Sequence, residues 1–173
     1  MNWLNKKKGQ NLVELVIVLP LIVLLILGII QFGMYWRTFQ TVESIALDGA
    51  TVAASTTDDI NTANANEAVN DTITAMNTRL AQAGFSTVAA PTVVSGTAPN
   101  ALYQTAASDA PGFSQVSIDY RSPTANGIVV QLVYNFVPIL AGTRIPIPGG
   151  DPIKIIPDFV KVTSSQVQQY NTY

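Results

Sequence analysis

From Leu15 to Trp36 the chain carries no charged residue. A helix over that stretch rises about 33 Å at ~1.5 Å per residue, close to the ~30 Å hydrocarbon core of a bilayer. The run therefore predicts a membrane span. Lys6, Lys7 and Lys8 precede it and only Arg37 closely follows it, so the bias of basic residues towards the cytoplasm puts the N-terminus inside and the remainder outside. A secretory signal peptide has a shorter apolar region closed by a small-residue cleavage site, and neither feature is present. Pro20 falls within the run, where membrane helices tolerate proline better than soluble ones do.

Composition narrows the remaining choices. The chain has 173 residues, room for about one head domain beside the span, and it is 48% hydrophobic with only 12% charged residues. Its formal charge is -2, and outside the three lysines there is no basic cluster, so no nucleic-acid partner is expected. It has no cysteine, which excludes disulfides, thiolate metal sites and lipidation at cysteine. It has no histidine either, which removes the commonest general base and metal ligand. No motif places a base beside any serine or threonine, so we expect no enzyme, no cofactor and no metal.

Beyond Trp36 the helical period continues. Val42, Ile45, Ala46, Gly49 and Ala53 share one face, and one helix is expected from about residue 11 to 55. That face serves either of two uses: close approach between helices of different subunits, or packing under the chain's own head. "TTDDINTANAN" is a polar loop, and Asp58, Asp59 and Asp71 fit no calcium-loop spacing. A second helix follows, with Val69, Ile73, Met76 and Leu80 as its apolar stripe and Gly84 as its stop. The period then changes to two. Val116, Ile118 and Tyr120 alternate, as do Ile128, Val130, Leu132, Tyr134 and Phe136, with "SPTANG" between them, which predicts an antiparallel hairpin. "STVAAPTVV" and "IKIIPDFVKVTSS" are weaker strands in which Pro91 and Pro157 signal edges or bulges, and Gly149-Gly150 is a turn. The expected fold is α+β: a long N-terminal transmembrane helix, then a small head with one helix on a three- to four-stranded antiparallel sheet.

Glu14 is the anomaly. A carboxylate within an apolar span costs on the order of 2.5 to 3.5 kcal/mol at the helix centre and less near the interface, and such acids usually pair. Cleavage of the chain after Gly9 would create a partner, the α-amine of Gln10. Such a pair would set register between packed helices more than it would add stability. Otherwise Glu14 is a wetted interfacial acid.

A basic leader ending in Gly9, then Gln10, Asn11, Leu12, Val13 and Glu14, then an apolar helix, resembles the processing signature of type IV pilin-like proteins. More narrowly, "KKGQNLVELVIVLPLIVLLILGIIQFGMYW" followed by "VESIALDGATVAA" looks like the TadE/TadG-like minor pilins, or pseudopilins, of the tight-adherence (Tad) pilus, which have a similar Val-Glu, Leu-Pro, Phe-Gly and Ala-x-x-Gly-Ala. Val13, Glu14, Leu19, Pro20, Phe32, Gly33, Ala46, Gly49 and Ala50 match these places. The resemblance implies a pilin-like fold and three segments: a leader over 1–9 carrying Lys6, Lys7 and Lys8, a membrane and assembly helix over 10–55, and a head over 56–173. It implies cleavage between Gly9 and Gln10 by a prepilin peptidase and assembly through Glu14 and Pro20. The implied partners are other pilin or pseudopilin subunits, an inner-membrane assembly platform and the lipid bilayer, with the chain crossing the inner membrane once. Gln10 stands where many type IV pilins have phenylalanine, and the cysteine pair of many large pilins is missing. The other function consistent with the residues is an uncleaved, signal-anchored binding or sensor domain outside the cytoplasm.

Overall fold

A computed structural model describes residues 3–55, 65–97, 100–121, 127–147, 150–154 and 156–169. The chain divides after Trp36 into two compact units. The first consists of the beginning of α1 (Trp3–Ser55), which runs through Pro20 without ending. A helix satisfies its backbone groups internally, which is what a lipid environment demands, and here Pro20 withholds only the N–H that the Val16 carbonyl would otherwise accept.

The second unit holds the rest of α1 and all that follows. α2 (Ala65–Ala83) ends as its sequence predicts. Gly84 adopts φ 76°, its N–H donates to Ala81 O at 3.1 Å, and Phe85 N–H reaches back to Leu80 O at 2.9 Å. That pair of bonds closes the last turn, and glycine supplies the left-handed residue it needs. Strands β1 (Thr92–Thr97), β2 (Asn100–Gln104), β3 (Ser114–Asp119), β4 (Gly127–Phe136) and β7 (Val160–Gln169) form a five-stranded sheet in the order β1-β2-β3-β4-β7, every neighbouring pair antiparallel. β5 (Arg144–Ile145) and β6 (Ile153–Lys154) pair separately. The sheet is thus wider than the three or four strands expected. The addition is β2, a short strand whose Ala101 and Tyr103 point inward but whose sequence, NALYQ, has too little alternation to stand out.

The expected hairpin is present as β3 and β4, with Val116 opposite Leu132 and Ile118 opposite Val130. Its turn, 122–126, lies outside the described residues, as do Asp58, Asp59 and Gly149. Pro91 and Pro157 each stand shortly before an edge strand, β1 and β7, where a missing N–H leaves no interior ladder bond unmade. The core gathers Val42, Ile45, Ala46, Ala50 and Ala53 of α1, the α2 stripe Val69, Ile73, Met76 and Leu80, and Tyr103, Val116, Ile118, Val130 and Leu132 of the sheet. The small-residue face of α1 is therefore used inside the chain, under its own head. At Gly49 a Cβ would lie 2.6 Å from Met76 Sδ, so a larger residue there requires the buried Met76 side chain to move.

Two asparagines tie the connections to this core. Asn77 accepts from Val88 N–H at 2.8 Å and donates to Val88 O at 2.9 Å, docking the segment after α2. Buried Asn135 donates through Nδ2 to Ser108 O (2.9 Å) and Ala110 O (2.8 Å), which fixes the β2–β3 connection.

Candidate membrane and assembly site

In the first unit the side chains of α1 have almost nothing of the chain around them. Leu15, Val16, Ile17 and Val18 step round the helix at about 100° each and are 61%, 61%, 68% and 41% exposed, so no side is sheltered. A helix apolar on every side belongs in lipid or inside an assembly. α1 is the one helix among the described residues long and apolar enough to cross a membrane. Near the end of the run Phe32 and Trp36 stack with ring centroids 6.4 Å apart, and aromatic side chains of this kind settle at the membrane–water interface.

The predicted site residues all fall on this helix. Glu14 is exposed near the start of the apolar run and makes no ion pair among the described residues. Pro20 is exposed six residues further on, inside the continuous helix. Lys6, Lys7, Lys8, Gly9 and Gln10 fall in the first turns of α1, and their side chains lie outside the described ones. A Cβ at Gly28 or Gly33 meets nothing within 4 Å, so neither glycine is required by packing inside the chain, in contrast to Gly49.

Among the described residues no three acids, histidines or cysteines come together to hold a metal. The strongest perturbation of a titrating group is structural: burial, with a smaller contribution from neighbouring Tyr103, pushes the Tyr120 hydroxyl up to about 12, and Thr72 acts weakly the other way.

Residues 9–51 match a family model described as TadE-like protein. Over those residues the chain is similar to TadE-like proteins. The match begins at Gly9, covers the exposed apolar run, and ends within the buried small-residue stretch of α1, so the sheet and α2 lie beyond it. It supports a pilus-associated, membrane-anchored protein. No curated protein and no solved structure matches the chain significantly.

Sequence reasoning missed the contacts that the head makes across the fold. Asp48 pairs with Arg79 (3.1 Å), and Asp119 takes a two-pronged bond from Arg121, Nε at 2.9 Å and a terminal nitrogen at 3.0 Å. The second pair is local, between residues two apart at the end of β3, and was not singled out from the sequence. The first joins residues on two helices, and nothing in one sequence announces it.

Proposed function

We propose that this protein is a structural minor pilin or pseudopilin of a Tad-type pilus or secretion apparatus, cut between Gly9 and Gln10 by a prepilin peptidase and assembled through its N-terminal helix. The reading rests chiefly on one observation: a TadE-like helix, exposed on every side, whose only charge between Val13 and Trp36 is Glu14. The leader is residues 1–9, the membrane and assembly helix 10–55 and the head 56–173. The chain sits in the inner membrane with its N-terminus in the cytoplasm and its head outside.

Physical chemistry supports each step. Glycine lowers helix stability by about 1 kcal/mol relative to alanine, so the backbone at Gly9 unwinds into a protease more readily than its neighbours. The same helix cost at Gly28 and Gly33 gains nothing within the chain, but it allows the backbone of a neighbouring helix to approach closely. Glu14 then pairs with the new α-amine of an adjacent subunit, and the pair fixes axial register. Intact-mass analysis of the native membrane protein tests the cleavage: the mass should lack residues 1–9. A full-length mass in a strain with active prepilin peptidase would contradict processing and leave a signal-anchored domain in its place.

A further inference from the structure

The sheet ends on two different kinds of edge. β1 is six residues long, its pairing with β2 slips at Val94, and Gly96 inside it sits at φ 85°, where a Cβ would run into the Asn100 carbonyl. Short length and a bulge of this kind keep a sheet edge from pairing further. β7 has neither protection: its ten residues match β4 one for one, from Gly127 opposite Gln169 to Phe136 opposite Val160, without a shift. No strand pairs with its other side among the described residues. Alternate residues of such an edge turn their N–H and C=O groups away from the sheet. The charges that usually guard an edge are nearly absent as well. Lys161 is the one charged residue of β7, it stands at the start of the strand, and Asp109 already holds it at 2.9 Å. From Val162 to Gln169 the strand has no charge and no proline.

We propose that the free edge of β7 pairs with β7 of a second copy of this chain, antiparallel and about a two-fold axis. Charge sets the direction. Parallel strands in register would stack Lys161 on Lys161, whereas antiparallel strands send the two lysines to opposite ends. The alternation of β7 restricts the register: Lys161, Thr163, Ser165 and Val167 are exposed on the outer face, while Val162 and Ser164 are buried on the inner one. A slip by one residue would set the buried row of one copy beside the exposed row of the other. Ser165 opposite Ser165 keeps the faces matched, brings Thr163 against Val167 and Ser164 against Gln166, and leaves Lys161 at the strand end beside Gln169. Ser164 opposite Ser164 also matches the faces, but it presses each Lys161 against Val167, an apolar neighbour for an ammonium. The edge of β1 is the poorer partner, because Val94 and Gly96 break its ladder. Pairing about Ser165 also continues a row of uncharged side chains that already crosses the sheet: Thr92, Gln104, Ser117, Gln131 and Ser165. A strand of this length spans only about 30 Å, and its backbone groups exchange water for one another, so the dimer is weak and dissociates on dilution. The inference does not depend on cleavage after Gly9 or on entry into a pilus.

Because the chain has no cysteine, single introduced cysteines report the pairing without background. The full chain in detergent micelles, under mild oxidation, should form a disulfide dimer through Ser165→Cys, whose Cα atoms would lie about 5 Å apart. Thr163→Cys and Val167→Cys, each about 14 Å from its own copy, should not link alone but should link to each other when mixed. Lys161→Cys and the β1 control Val93→Cys should not link. Sedimentation of the cysteine-free chain should show a dimer that dissociates on dilution. Ser165→Lys, which sets two ammonium groups face to face, should weaken that dimer about fivefold or more at an unchanged melting temperature. Equal linking at all the β7 positions, linking through Val93→Cys, or a monomer at every concentration would overturn the proposal. So would a dimer that Ser165→Lys leaves intact, since that assigns the association to another surface, such as the apolar run of α1. A Ser165→Cys chain that links only to a different protein in native membranes would overturn it too, giving the edge to that partner.

Discussion

Tyr103 and Tyr120 meet edge to face, ring centroids 5.9 Å apart, and both hydroxyls are buried; neither makes a hydrogen bond of good geometry among the described residues, Thr72 approaching the Tyr120 hydroxyl without closing one. Burial favours the neutral phenol, which is why Tyr120 titrates near 12 instead of 10.0. A folded pKa raised above the unfolded one contributes stability that is fully present below pH 10 and is lost as pH rises towards 12. The shift corresponds to about 2–3 kcal/mol. Tyr120→Phe removes both the titration and an unsatisfied hydroxyl, so its denaturant midpoint should equal or exceed wild type at pH 7 and fall less between pH 10 and 12. Asn135 is the opposite kind of polar residue, fully used. Asn135→Ala abandons the Ser108 and Ala110 carbonyls and should cost about 2–3 kcal/mol in chemical denaturation, with little change in the m-value. Neither role was legible beforehand. Tyr120 read as one more inward residue of an alternating strand and Asn135 was not singled out, because the partners of both come from other segments.

At the scale of elements, α1 is one continuous helix with two kinds of surface, and its sequence distinguishes them. From Leu15 to Trp36 it is apolar all round and largely exposed; after Arg37 it is amphipathic, with Val42, Ile45, Ala46, Ala50 and Ala53 buried. The i, i+3, i+4 spacing showed which face is apolar but not what covers it, since small residues suit a neighbouring subunit and the chain's own α2 equally. Contact between Gly49 and Met76 resolves it in favour of α2. Gly49→Leu should therefore destabilise the head by about 1–3 kcal/mol, overpacking outweighing the gain in helix propensity. Met76→Ala in the same chain should recover part of that loss, a coupling that a double-mutant cycle in denaturant measures. A null cycle would mean that the two residues do not share space. The β3–β4 hairpin was legible because both strands alternate and turn residues separate them. β2 and β5 were not, because strands of two to five residues offer too few alternating positions to stand out and their pairing is decided by the strands around them; Ile153–Lys154 (β6) lay inside the candidate strand IKIIPDFVKVTSS, which the structure divides into β6 and β7.

At the scale of the molecule, the division after Trp36 implies that residues 37–173 fold without the span. Expressed alone, they should be soluble and unfold cooperatively, with the same melting temperature in the presence and absence of a chelator, since no ligand set for a metal is assembled among the described residues. The division also separates folding from assembly. The head is held by its own core, which on the proposed function leaves the exposed helix to the bilayer and to other subunits. On the proposed function Glu14 is where two demands conflict: insertion favours its removal, whereas the assembly we propose uses it. The decisive measurement is the ratio of cleaved subunit in sheared pili or cross-linked pilus complexes to cleaved subunit in the inner membrane. It is compared for wild type, Glu14→Leu, Glu14→Gln and the neighbouring packing control Val16→Leu. The account predicts that Glu14→Leu inserts and is cut normally yet falls at least tenfold in incorporation, that Glu14→Gln lies between it and wild type, and that Val16→Leu matches wild type. A cleaved Glu14→Leu protein that enters pili as efficiently as wild type would show Glu14 to be a wetted interfacial acid and contradict its role in assembly.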